Sequence, residues 1–236
     1  MKNILLVLLS VLLASSAQAI LVTTADGNGA DTFVGNDSNK GPNNNYGGSS
    51  TIDIRNYSGV RAHIGYVRFD LSGLTGDLSG AQLQLYITQG GATRTWNIYG
   101  LIDGTDDFWG EMSITYNTAP GMIPTDPQAN GTYVLDESKL TLLGTLVVPS
   151  SAVNTTVTSD TSALDLDSFL AADTNGLVTM VLIATGSDRQ YYVAAKEGLA
   201  SNPSWLAPTL IVPNAVPEPA TLLLLAVGGI LSVRKK

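Results

Sequence analysis

The sequence predicts an all-β protein, a β-sandwich of jelly-roll type, and three observations carry the prediction. Many short segments alternate apolar and polar residues with period two, the pattern of a strand buried on one face. Clusters of Gly, Asn and Pro punctuate them, drawn from 24 Gly and 10 Pro in 236 residues. Inside the body only one short stretch, 164–172, has a helical pattern. Such a run of strands and turns belongs to a sandwich rather than to a mixed fold. The two ends stand apart from this pattern, giving a leader over 1–19, a β-sandwich body over 20–213 and a tail over 214–236 with a short apolar helix.

The leader has a basic start at Lys2, an apolar core over 4–13 and small residues ending in Ala17 and Ala19. That is the layout of a secretory signal peptide cut after Ala19, read by the Sec machinery. In the body, 25–45 is rich in Asp, Asn and Gly around a strand-like 32–34. Period-two strands follow at 51–55, 63–70, 81–87 and 96–101. Further strands are expected at 141–148, 155–157, the more apolar 177–184, 191–195 and 208–212. The tail joins Pro217, Glu218 and Pro219 to the uncharged stretch 221–233 and the basic end Arg234, Lys235 and Lys236. A helix over that stretch reaches only roughly 20 Å, short of the ~20 residues a spanning helix needs. The basic end stays in the cytoplasm by the positive-inside tendency.

Formal charge is −8, but Lys2 and the tail contribute +3 of it, so the body between carries −11. That excludes nucleic acid as a partner, since phosphate binding rests on Lys and Arg, and disfavours passive adhesion to anionic lipid. The absence of Cys in an exported chain removes disulfides and thiol chemistry alike.

Two resemblances sharpen this reading. The tail, with Pro217, Glu218 and Pro219 ahead of the apolar stretch and its basic end, resembles the PEP-CTERM sorting signal of Gram-negative bacteria. That resemblance implies an exosortase-type protease as partner and the inner membrane as a transient anchor. It implies an anchored intermediate and then a cell-surface or extracellular location, in a setting of exopolysaccharide and biofilm. An anchor that is never cut is the alternative. In the body, Ala30 to Val34, Asn45 to Gly47 and Tyr66 to Ser72 resemble the DNRLRE-type domain, related to carbohydrate-binding module family 96. The segment Trp109 to Pro120 fits that family's central Trp-x-Glu and Thr-Trp-Asn motifs, with Tyr116 where the family has Trp. Ala195 to Glu197 and Ala207 to Leu210 fit its closing strands. This resemblance implies a β-sandwich of bacterial extracellular proteins, some of which bind acidic polysaccharide such as alginate.

A sugar site needs exposed aromatics for pyranose faces with planar polar groups beside them. Alternation places Val67 and Phe69 on one face of their strand and Ile64, Tyr66, Arg68 and Asp70 on the other. With Phe69 in the core, Tyr66 and Arg68 face solvent or a groove. Gln82, Gln84 and Tyr86 oppose Leu83, Leu85 and Ile87 in the same way. Tyr66, Arg68, Gln84, Tyr86 and Tyr99 are therefore the expected lining of one concave sheet, with Arg68 suited to a uronate carboxylate. The competing role for these side chains is simply to cover a sheet and pair with neighbours. Trp109 and Trp205 read as packing residues, Asp70 as a turn former and Glu111 as a carboxylate that fixes a loop.

For a cofactor, Ca2+ is the cation to consider. Asp26, Asn28, Asp31 and Asp37 form one oxygen-rich loop, and Asp103, Asp106 and Asp107 another. The first is no EF-hand: Ala30 occupies the fifth position, Asp31 the place of the obligatory Gly, and Asp37 replaces the closing Glu. Solvated turn carboxylates are the alternative. For catalysis, His63 is the only His, aimed at the face of Val67, and no nucleophile elbow is present. The sequence assigns no catalytic residue and points to a non-catalytic polysaccharide-binding protein. A structural matrix protein is a second class. A lyase or hydrolase, built on Tyr66 with Arg68 or His63 or on paired carboxylates, is a third.

Overall fold

The computed structural model describes residues 19–57, 61–104, 107–124, 133–186 and 190–217. The leader through residue 18 and the tail from residue 218, with its expected apolar helix, lie outside the described residues. Among the described residues no helix is long and apolar enough to cross a membrane.

In chain order the strands are β1 (Ile20–Thr23), β2 (Ala30–Gly35), β3 (Thr51–Tyr57), β4 (Arg61–Asp70), β5 (Leu74–Gly76), β6 (Gln82–Gln89) and β7 (Arg94–Leu101). They continue with β8 (Met122–Ile123), β9 (Val134–Leu135), β10 (Leu140–Val148), β11 (Thr155–Thr158) and β12 (Leu177–Ala184). The last are β13 (Tyr191–Ala194), β14 (Thr209–Val212) and β15 (Ala215–Pro217); a six-residue helix, α1 (Leu166–Ala171), precedes β12. Each strand foreseen by alternation is present. The short β1, β5, β8, β9 and β15 add to them, because a strand of two to four residues carries too few positions to show a period.

All pairing is antiparallel. In one sheet β6 pairs with β11, β13 and β14, β14 pairs with β1, and β13 pairs with β3. In the other, β2 and β12 lie on opposite edges of β4, and β7 joins β12 to β10. The strand β3 belongs to both: Thr51 to Ile54 pair with β13, and Arg55 to Tyr57 pair with β4. One eleven-stranded sheet thus curls over itself into an all-β sandwich.

The inner faces supply one core. Ile52, Leu83, Leu85, Val193 and Leu210 from the first sheet meet Val67, Phe69, Ile98, Met180 and Leu182 from the second. Trp96 and Tyr191 join the sheets edge to face, with ring centroids 5.9 Å apart. Each such side chain taken fully from water stabilises by about 1.5–3 kcal/mol.

The second sheet is buried on its outer face too. Val34, Ile64, Tyr66, Val181 and Ile183 lie beneath Trp109, Ile114, Tyr116 and Met122 from the long connection between β7 and β10. This covering segment explains why β4 is buried at every interior position although its sequence alternates.

The kink in β10 shows how tightly the connections close. Its register shifts between Leu142 and Gly144, where φ is +146° and a Cβ would come within 2.1 Å of the Ala163 carbonyl oxygen. Gly144→Ala is therefore expected to cost about 1–3 kcal/mol, read as a lower urea midpoint with an unchanged slope. Gly91→Ala, with nothing within 4 Å of the added methyl group, should stay within about 0.5 kcal/mol of the parent.

Candidate functional site

The five side chains expected to share a groove do not share a surface. Tyr66 has no exposure, and its hydroxyl donates to the Pro120 carbonyl oxygen at 2.9 Å beneath the covering segment. Arg68 is 6% exposed; it donates from Nε to Asn28 O and from Nη1 to Asp107 O and Trp109 O, at 2.7–2.9 Å. Alternation placed both on the correct face of β4, but that face has a second layer over it. Gln84 and Tyr86 lie on the outer face of the other sheet, across the core, where Gln84 Nε2 donates to Thr158 Oγ1 at 3.0 Å and Tyr86 is largely buried. Tyr99 is half-buried at the margin of the covering layer.

The calcium loop also separates into distinct tasks. Asp26 Oδ2 accepts from Thr23 N and Oγ1 at 2.7 and 2.8 Å. Asn28 donates through N and Nδ2 to Asp70 Oδ2, while Asp70 Oδ1 holds the turn at Ser72. Asp37 Oδ1 accepts from Asn39 N and Lys40 N, and its Oδ2 lies 2.7 Å from His63 Nε2. Burial works to raise the Asp37 carboxyl, but those donors outweigh it and hold it below the usual range. His63 is a buried residue set between Asp37 and Asp53, whose Oδ2 is 2.9 Å from Nδ1. Asp26, Asp31 and Asp37 therefore form no common ligand set among the described residues.

The structure instead assembles an acidic cleft of about 210 Å³ where α1 and the start of β12 meet β7 and β10. Asp103, Asp107, Asp165, Asp173, Ser168 and Phe169 line it with Leu101, Leu142 and Val178, and no Lys or Arg is in that lining. Phe169 is fixed by Gly100, where a Cβ would come 2.4 Å from the ring. Asp103 accepts from Thr174 Oγ1 at 2.5 Å and Asn175 Nδ2 at 3.0 Å, and Asp173 accepts from Gly176 N at 3.0 Å. Asp107 is 3% exposed; burial, with the negative charges of Asp103 and Asp173 adding to it, pushes its carboxyl up to about 6. Its Oδ1 has no hydrogen-bond partner within the protein. Asp106 lies outside the described residues.

The next residue along the chain opens a second concavity. Phe108 is 74% exposed and borders a groove of about 470 Å³ with Trp109, Ser113, Ile114 and Thr118. The Arg68 guanidinium sits 5.5 Å from the Phe108 ring centroid and 4.8 Å from that of Trp109. An aromatic face held from below, beside oxygen acceptors, is the combination that a hydroxyl-rich, partly apolar ligand requires. Sequence inspection passed over Phe108 because it lies in an aperiodic connection with no strand alternation to mark it as exposed.

A further cluster joins three segments distant in sequence. Asp31 on β2, Glu111 on the covering segment and Glu197 after β13 bring carboxylate oxygens within 4.8 Å of one another. Glu111 Oε1 accepts from Asp31 N at 2.7 Å, and its Oε2 pairs with Lys196 Nζ at 2.8 Å, which fixes the loop as the sequence suggested. Burial pushes Asp31 up to about 6 and Glu197 up to about 7.

Comparison with known families bears on this geometry. Residues 23–134 match the family model of carbohydrate-binding module family 96, and residues 215–236 match the PEP-CTERM protein-sorting motif. None of the curated proteins matches the chain. The first match takes in Phe108 and the covering segment but ends before β10, although β10, β12 and β13 complete the same sandwich. The body is thus similar to carbohydrate-binding module family 96 over residues 23–134, and the C-terminal end is similar to the PEP-CTERM protein-sorting motif.

Proposed function

We propose that this is an exported, non-catalytic protein that holds polysaccharide at the covering segment, with Phe108 as the stacking platform and the acidic cleft as the hydroxyl-binding subsite. The observation that carries the reading is the exposed Phe108 ring next to Asp107, consecutive residues that border the two concavities. A pyranose face stacks on the ring, and its hydroxyls donate to Asp103, Asp107 and Asp173. Carboxylates accept such bonds more strongly than neutral oxygens. They also repel a uronate, so the favoured ligand is a neutral glycan rather than the acidic one that Arg68 suggested from sequence. Export follows the leader through the Sec machinery, and the tail provides a transient inner-membrane anchor for an exosortase-type protease before release to the surface or medium.

Three outcomes test this. Phe108→Ala should weaken retention on a neutral polysaccharide gel about tenfold, equal to about 1.4 kcal/mol, without changing the melting temperature, whereas Tyr86→Ala should leave retention unchanged. A folded protein that no neutral or acidic polysaccharide retains would sink the binding reading, and new reducing or unsaturated ends in the eluate would make it an enzyme.

Binding should also depend on pH with a defined sign. Asp107 accepts hydroxyl hydrogens more strongly when ionised than when protonated, so affinity should fall as pH drops through about 6. Asp107→Asn should remove that dependence, as measured by affinity electrophoresis between pH 5 and 7.5.

For the tail, intact mass of the mature protein should show an end upstream of Arg234. Replacing Pro217, Glu218 and Pro219 with Ala should leave Lys236 in place; cleavage that persists in this variant would overturn the sorting assignment.

A further inference from the structure

The Asp31, Glu111 and Glu197 cluster gathers more carboxylate charge than the cations beside it balance. Three carboxylates meet one ammonium, Lys196 Nζ, which is engaged by Glu111 Oε2 at 2.8 Å and Gly29 O at 3.1 Å. Arg68 is another cation that acts on Glu111, and its Nε and Nη1 donate to backbone carbonyls. Asp31 is 1% exposed; Thr24 Oγ1 and Lys196 N donate to its Oδ2, and Oδ1 has no partner. Glu197 Oε2 is likewise buried and without a partner. Two bare carboxylate oxygens beside a third carboxylate are a costly burial unless a cation joins them.

We propose that this cluster is a structural site for a divalent cation of the Ca2+ type, held by Asp31, Glu111 and Glu197. The donors are all hard oxygens, which select Ca2+ or Mg2+ over the softer metals. Three carboxylates of mixed burial, with water free to complete the shell, suit the larger and less demanding Ca2+. Its two positive charges match the net charge of the three carboxylates and Lys196. The ion ties β2, the covering segment and the turn after β13 into one rigid unit. This site is distinct from the loop over Asp26 to Asp37, from which it takes only Asp31, and it does not depend on sugar binding.

The test is equilibrium dialysis and thermal melting of the full chain with CaCl2, MgCl2 or EDTA as the only variable. One Ca2+ per chain is expected, with a dissociation constant of about 10⁻⁴–10⁻³ M, the range of extracellular modules, and a melting temperature that rises saturably with Ca2+. Glu197→Gln, at a half-buried position, should weaken Ca2+ at least tenfold, and Asp26→Asn should leave it unchanged. Wild-type protein that binds no Ca2+ in dialysis overturns the proposal whatever the variants do. Undiminished Ca2+ binding by a folded Glu197→Gln variant overturns it as well.

Discussion

The rest of the molecule depends on a buried guanidinium. Arg68 leaves β4 on the outer face of its sheet and holds the Asn28, Asp107 and Trp109 carbonyls, which belong to two segments far apart in sequence. Irregular backbone laid over a sheet cannot complete a ladder, so its carbonyls need donors from elsewhere. A planar fork with five donors meets that need where a single ammonium cannot. Burial works against the charge, and Glu111, Asp107 and Asp70 support it. This clamp acts together with the Tyr66 hydroxyl on Pro120 O and the Trp109 indole on Thr179 Oγ1 to set the covering segment over β4.

That arrangement gives one segment two jobs. Asp107 and Phe108 face the cleft and groove, while Glu111 reaches back to Asp31 and Lys196. Order at the Glu111 end therefore bears on order at the Phe108 end, through a stretch of chain too short to flex independently. The acidic composition acquires a local meaning here. Much of the body's charge sits in turns such as Asp77 with Ser79, or Asp136 with Ser138, where it caps backbone N–H groups. Buried carboxylate oxygens without a hydrogen-bond partner occur in the cleft at Asp107, in the three-residue cluster at Asp31 and Glu197, and beside His63 at Asp53.

The sandwich was legible because strands repeat every second residue, and strands such as 63–70 and 81–87 show that repeat plainly. Alternation also assigned the faces of Tyr66 and Arg68 correctly. What it does not carry is whether a face meets water, because that depends on a connection from elsewhere in the chain, and an aperiodic connection advertises nothing. The same limit hid the carboxylate cluster. Asp31, Glu111 and Glu197 lie far apart along the chain and meet only because β2 runs beside β4 and the covering segment returns across both. The expected calcium loop failed for the opposite reason: residues close in sequence spent their oxygens on separate neighbours.

The tail and the body meet more closely than a flexible tether would require. Pro217, which opens the Pro-Glu-Pro tripeptide, ends β15, which pairs with β5 on the body, Val216 opposite Thr75. A proline is tolerated there because β5 and β15 form a two-stranded ribbon with free edges, where its missing N–H breaks no ladder. A body of charge −11 is thereby carried right up to the motif. Near an anionic leaflet such a body is repelled rather than attracted.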